Sequence, residues 1–213
     1  MKYTVLFIVA LLISLPARAD YFVWEDAETG VSFSYPDSWR QVSNYTPDDV
    51  VTIMAPGDDA AMCRIRARED RRWLVYPQRF RAAIQREAYS EEFWNNYLAS
   101  YDDILIYSMT DGAGLGEAFA SIVTASYVTN YPMKNLYKTS FAAAGLYGEN
   151  VFIFDCSSKS EAFNSYLPAF KSIMRTVSFN QVYHELVEGE NNDMDTGPII
   201  IIREPTNRYT HRY

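Results

Sequence analysis

Gly30-Val31-Ser32-Phe33-Ser34-Tyr35-Pro36-Asp37-Ser38-Trp39 reads as a strand that stops at a proline and turns onto a tryptophan. Val31, Phe33 and Tyr35 alternate with Ser32 and Ser34. That period of two is expected of a strand with one buried and one wet face. Thr29-Gly30 supplies the turn before it. Pro36 ends it, because proline cannot donate to a central ladder and restricts the residue before it. Asp37 and Ser38 are turn formers, and Trp39 offers an apolar face able to close one edge of a core.

Upstream, residues 1–19 read as a signal peptide rather than as part of the fold. Lys2 gives a positive start, Val5 to Leu15 is an apolar run of eleven residues broken by Ser14, and Ala17-Arg18-Ala19 is a small-x-small cleavage site. A membrane span needs roughly 20 residues, so the run is short for one. Cleavage between Ala19 and Asp20 predicts a soluble, periplasmic or secreted chain with no membrane span. Without Lys2 and Arg18 the chain keeps 17 basic and 27 acidic residues, a net charge of −10. Such a balance gives no general affinity for nucleic acid or an anionic bilayer.

The roughly 160 residues from Asp20 to Asn180 suffice for one core and are expected to form a single α+β domain (20–180). Strands are predicted at 21–26, 31–35, 39–42, 50–54 and 61–68, then at 102–109, 118–128, 135–146 and 150–156, with a closing strand at 177–179. Successive strands of this kind mostly pair antiparallel. Asp111 to Gly116 is expected as a flexible connection. Pro77 opens a helix running to about Ala88, and Ser90 with Glu91 and Glu92 opens a second. Ser158-Lys159-Ser160-Glu161 reads as a capping box for the last helix. Pro168 should kink that helix or start another. Residues 181–213 are expected to form an acidic, flexible tail; Ile199–Ile202 within it could instead add a strand to a partner's sheet edge or dock on its own domain.

Cys63 and Cys156, the two cysteines, each face inward on their own strand. An exported chain with an even count suggests a disulfide between them; two separate buried thiols are the alternative.

The 30–39 block and the block Tyr166-Leu167-Pro168-Ala169-Phe170-Lys171-Ser172-Ile173-Met174-Arg175-Thr176-Val177-Ser178-Phe179 together resemble the PsbP-like family. The family pattern is an aromatic-x-aromatic-x-Tyr-Pro-x-x-Trp opening and a last helix running into a Ser-Phe strand. Val31 takes the first place here. The resemblance implies an α-β-α sandwich, a central antiparallel sheet with helices packed on both faces. It also implies an accessory, scaffold or partner-binding role rather than an enzyme, and it carries over no metal or catalytic residue.

The residues themselves predict no catalytic set, no metal and no cofactor. His184 and His211 both lie beyond the predicted domain, so a histidine mechanism would need the tail to fold back. Zinc needs clustered Cys and His. Asn191 to Gly197 lacks the glycine position and closing glutamate of a calcium loop. Gly112, Gly114 and Gly116 precede a strand, not the helix of a dinucleotide fold. The paired aspartates sit in turns, where solvating charge explains them better than a glycosidase pair.

One cluster stands out. Residues 64–86 hold eight arginines against Glu69 and Asp70, a local net of +6. Arg64, Arg66 and Arg68 are expected to project outward from one strand face, with Arg71 and Arg72 just beyond. Guanidinium forks bind carboxylates and phosphates, so these five are candidates for an acidic partner, another envelope protein or an anionic polymer. Pairing with the chain's own acids is the competing reading. The function expected is an exported, non-enzymatic accessory or partner-binding protein. A small-ligand domain with an aromatic pocket, and a hydrolase with an unrecognised site, are the alternatives.

Overall fold

The computed structural model describes residues 20–44, 46–73, 75–130 and 133–179. The expected leader (1–19) and tail (181–213) lie outside the described residues. Seven strands form one antiparallel sheet: β3 (Arg40–Val42), β4 (Asp49–Met54), β5 (Met62–Glu69), β6 (Asp102–Leu115), β7 (Ala118–Thr129), β8 (Leu136–Tyr147) and β9 (Asn150–Lys159). Their order is β3-β4-β5-β9-β8-β7-β6. β1 (Tyr21–Glu25), β2 (Val31–Pro36) and β10 (Ser178–Phe179) form a second, three-stranded sheet in the order β1-β2-β10. Among the described residues there are three α-helices: α1 (Arg81–Ala88), α2 (Glu91–Leu98) and α3 (Phe163–Arg175).

The alternation in β2 holds. Val31, Phe33 and Tyr35 are buried, while Ser32, Ser34 and Pro36 are only half-buried. Phe33 meets Phe154 of the large sheet edge-on at 5.9 Å, and Trp39 meets Phe170 of α3 edge-on at 6.2 Å. The two family-like blocks thus cover one face of the large sheet together, and β10 joins them by pairing with β2.

Registers decide what each face carries. Arg64, Asp155, Ala142 and Val123 oppose one another across β5, β9, β8 and β7. Cys63, Cys156 and Phe141 form the adjacent row and point to the opposite face. The cysteine row joins the core under α3 and the small sheet. The arginine row faces the second core, which contains α1 and α2 residues such as Ile84, Trp94 and Leu98. Cys63 and Cys156 are directly opposed and disulfide-bonded, 93 residues apart in sequence.

Three expectations need correction. The glycine-rich stretch 111–116 is no loop: β6 runs through it to Leu115. Gly112 sits at φ +79° where the β6–β7 register shifts, and Gly116, at φ +56°, lies so close to Phe179 that a Cβ would be 3.1 Å from the ring. The second correction concerns Ser158, which is no cap. It lies in β9 opposite Thr139, and α3 begins later, at Phe163, after Ala162. Ladder pairing has prevailed over the local capping motif. Of the two outcomes expected at Pro168, a second helix does not arise, because α3 continues through it. That proline is exposed, so water can solvate the carbonyl its missing N–H leaves free. Finally, Arg64 and Arg66 do not project outward. Their side chains retain 13% and 20% exposure.

Candidate functional site

The five candidate arginines divide into two groups. Arg64 and Arg66 enter a buried polar cluster between β5, β9 and α2. Arg64 Nη2 donates to Asp155 Oδ2 at 3.1 Å and to the Tyr101 hydroxyl at 3.5 Å. Arg66 Nε donates to Asp49 Oδ1 at 3.0 Å, and its guanidinium stands 5.4 Å from the centre of the Tyr97 ring. Asp155 also accepts from the Tyr97 hydroxyl at 2.9 Å and from Ser140 Oγ at 2.7 Å. Both carboxylates are almost wholly enclosed: 0% side-chain exposure for Asp49 and 3% for Asp155.

Burial by itself would push the Asp155 carboxyl up. Arg64, with the Ser140 and Tyr97 hydroxyls, outweighs burial and holds it below the usual carboxylate range. Burial raises the Tyr97 phenol well above its ordinary value, with Asp155 adding to the effect. Lys138 lies two rows away on the same face of β8, with 4% exposure. Burial pulls its ammonium down to about 8, against the opposing influence of Asp155. Arg64 and Arg66 therefore have their forks committed to internal carboxylates. They hold α2 to the sheet and leave little of either guanidinium to solvent.

Arg68, Arg71 and Arg72 form the outer group. Their side chains are 69%, 68% and 69% exposed. Each also touches a carboxylate of the chain: Arg68 pairs with Asp48 at 2.8 Å, Arg71 with Glu69 and Glu149, and Arg72 with Asp70 at 2.6 Å. Hydrogen bonds from Arg72 draw the Asp70 carboxyl down to about 2, and the Tyr89 hydroxyl donates to the same group at 2.6 Å.

Beyond Asp70 the chain makes two short 3₁₀ turns, Arg71–Trp73 and Gln78–Phe80, before α1. Pro77 stands in this approach, so the proline sets up a tight turn rather than the first turn of α1. The segment leaves Val75 82%, Tyr76 52% and Phe80 43% exposed. It borders a cleft of about 150 Å³ lined by Asp70, Trp73, Tyr76, Arg81, Ile84, Leu146 and Gly148. Aromatic surface, exposed guanidinium groups and a small concavity therefore meet in one place. The described residues contain no group of three or more His, Cys, Asp or Glu able to hold a metal, and no helix among them is long and apolar enough to cross a membrane.

Sequence reasoning marked the arginines but missed Asp49, Asp155, Tyr97 and Lys138. One signal was present: Asp155 interrupts the apolar run Phe152-Ile153-Phe154, at a position whose parity opposes that of Cys156. A carboxylate there needs a buried cation, and β5 supplies one.

No protein-family model matches the sequence, and no curated protein matches it. Solved structures do. Cyanobacterial PsbP (CyanoP) from Synechocystis is similar over 80% of this chain and 99% of its own, with a TM-score of 0.55 and 12% identity. LpqN, involved in cell envelope biogenesis of Mycobacterium tuberculosis, aligns over 76% of this chain and 91% of its own, with a TM-score of 0.48 and 14% identity. With a central antiparallel sheet, helices against both its faces and an opening strand running into Tyr-Pro and Trp39, the chain has an α+β, PsbP-like fold.

Proposed function

We propose that this is an exported, non-enzymatic partner-binding protein of the cell envelope, and that residues 71–80 carry its contact surface. The observation behind this reading is the exposure of Val75, Tyr76 and Phe80 alongside Arg71 and Arg72. Interfaces concentrate aromatic residues and arginine, and their hot spots seat side chains in small pockets. The cleft beside Tyr76 offers such a seat. The exposed guanidinium groups favour a partner that presents carboxylates next to an apolar anchor. A disulfide joining two buried strand positions fits an oxidising compartment, in keeping with the leader expected at residues 1–19.

A photocrosslinking residue placed at Tyr76 in the exported chain tests this. One discrete adduct is expected, and it should weaken when Arg71→Glu is added. The same residue placed at the exposed turn position Asp37 should give none. A chain that is exported and oxidised yet forms no adduct at Tyr76 would remove the interface. The cleft also supports a second reading, a bound small organic molecule. Native mass spectrometry selects that reading if a ligand mass is carried by the folded chain and lost on denaturation.

A further inference from the structure

β6 is fourteen residues long and ends the seven-stranded order. Among the described residues it pairs only with β7, so its outer edge carries unpaired backbone groups. Its first half also exposes large apolar side chains: Ile104 38%, Leu105 54% and Tyr107 60%. An exposed apolar edge of this kind is a template for another strand. Three register shifts interrupt its pairing with β7, so a short added segment suits it better than a long one.

The described chain ends close to this strand. Phe179 N and Ser178 Oγ both donate to the carboxylate of Glu117, at 2.9 Å each, in the turn that follows β6. The tail therefore leaves beside the C-terminal end of β6. From Leu115 back to Tyr107 is eight residues, or about 27 Å of strand. Asn180 to Ile199 is twenty residues, and a flexible chain of that length has an r.m.s. reach of about 25 Å. Such a match of reach to span brings the effective concentration of a tethered segment near its maximum. Charge agrees with the direction. In an antiparallel pairing Arg203 and Arg208, which follow the isoleucines, run toward Asp102 and Asp103 at the start of β6.

We infer that Pro198–Arg203 of this same chain adds to the outer edge of β6 as a short antiparallel strand, with Ile199–Ile202 covering Ile104, Leu105 and Tyr107. Pro198 ends the added strand on one side, since proline cannot extend a ladder inward. The docked tail leaves residues 71–80 free, so the inference stands apart from the proposed partner surface.

Amide hydrogen exchange on the full-length oxidised chain tests it, compared with the same chain carrying Ile200→Asp and Ile201→Asp. Amides between Ile104 and Met109 are expected to exchange about tenfold faster in the double variant. Those of β8 and β9 should be unchanged, which reports an intact fold in the same experiment. Arg203→Asp should give a smaller change of the same sign. Equal exchange of β6 in the two chains overturns the inference. So does a tail-dependent protection found at Tyr21–Val23 instead of β6. Protection that rises with chain concentration, with a dimer mass in sedimentation, assigns the segment to a second copy and also overturns it.

Discussion

The two faces of the seven-stranded sheet are held down by different chemistry. The face under β2 and α3 is apolar, with Phe33, Phe154, Phe170 and the Cys63–Cys156 bond packed together. The face under α1 and α2 has an apolar patch, but its fixings are polar. Gln85 Nε2 donates to the Ala144 carbonyl at 2.9 Å, while its Oε1 accepts from Leu146 N at 2.8 Å. Trp94 Nε1 donates to Ser121 Oγ at 3.0 Å, and Tyr97 reaches Asp155. Apolar packing tolerates small shifts, because it has no preferred direction. Buried hydrogen bonds and ion pairs do not, because a group left without its partner bears the whole desolvation cost. Buried polar contacts therefore fix the orientation of the helical pair that leads out of the 71–80 segment.

Phe154 and Asp155 are successive residues of β9 that point to opposite faces, so they break the comparison most directly. Asp155→Ala is expected to cost ~3–5 kcal/mol by stranding Arg64, and Phe154→Ala a similar ~3–5 kcal/mol by opening a cavity. Their pH dependence separates them. The folded value of Asp155 lies below its unfolded one, so its contribution is complete above ~3.9 and is lost as pH falls through the folded value. Urea titrations should show the Asp155→Ala deficit shrinking toward strong acid and the Phe154→Ala deficit persisting. Arg64→Met with Asp155→Leu should lose less than Asp155→Ala alone, because both buried charges leave together.

Lys138→Met gives the next largest effect, with the opposite sign. The folded ammonium titrates near 8, well below its ordinary ~10.4. The unfolded chain therefore binds the extra proton between those values, and stability of the parent chain should rise with pH across that window. The substitution should stabilise the protein at pH 7 by on the order of 2–3 kcal/mol and flatten the rise. A parent stability that stays level from pH 8 to 10 would contradict this. Smallest is Arg68→Gln. It breaks an exposed pair with Asp48 and should change stability by less than ~1 kcal/mol.

The sequence disclosed the apolar face far better than the polar one. Alternation in Val31–Tyr35 and the apolar rhythm from Phe163 to Val177 each reflect one residue type repeated at a local period. Local period is what a sequence displays. The inward facing of both cysteines followed from the same parity, while their pairing hung on β5 and β9 being neighbours. The arginine strand has an equally clear period, and that period implies a wet face because arginine is seldom buried. Whether an arginine meets water or an aspartate depends on a strand 91 residues away, as Arg64 and Asp155 show. The bulge at Gly112 and the ladder that claims Ser158 are hidden for the same reason: distant pairing has overruled a local signal.

The disulfide has a consequence for how the chain assembles. Within the large sheet, β3-β4-β5 is one run of neighbours in sequence and β6-β7-β8-β9 is another. Among the described residues the β5–β9 ladder is the one that joins the two runs, and Cys63–Cys156 lies on it. Hairpins within each run close short loops and can form early, whereas the seam must close a far longer one. In the oxidised chain that long search has been made once and retained, so refolding after denaturation should be much faster with the bond intact than after its reduction. The oxidised chain then behaves as two meanders on a covalent clasp, and reducing that clasp would slow closure of the sheet as well as lower its stability.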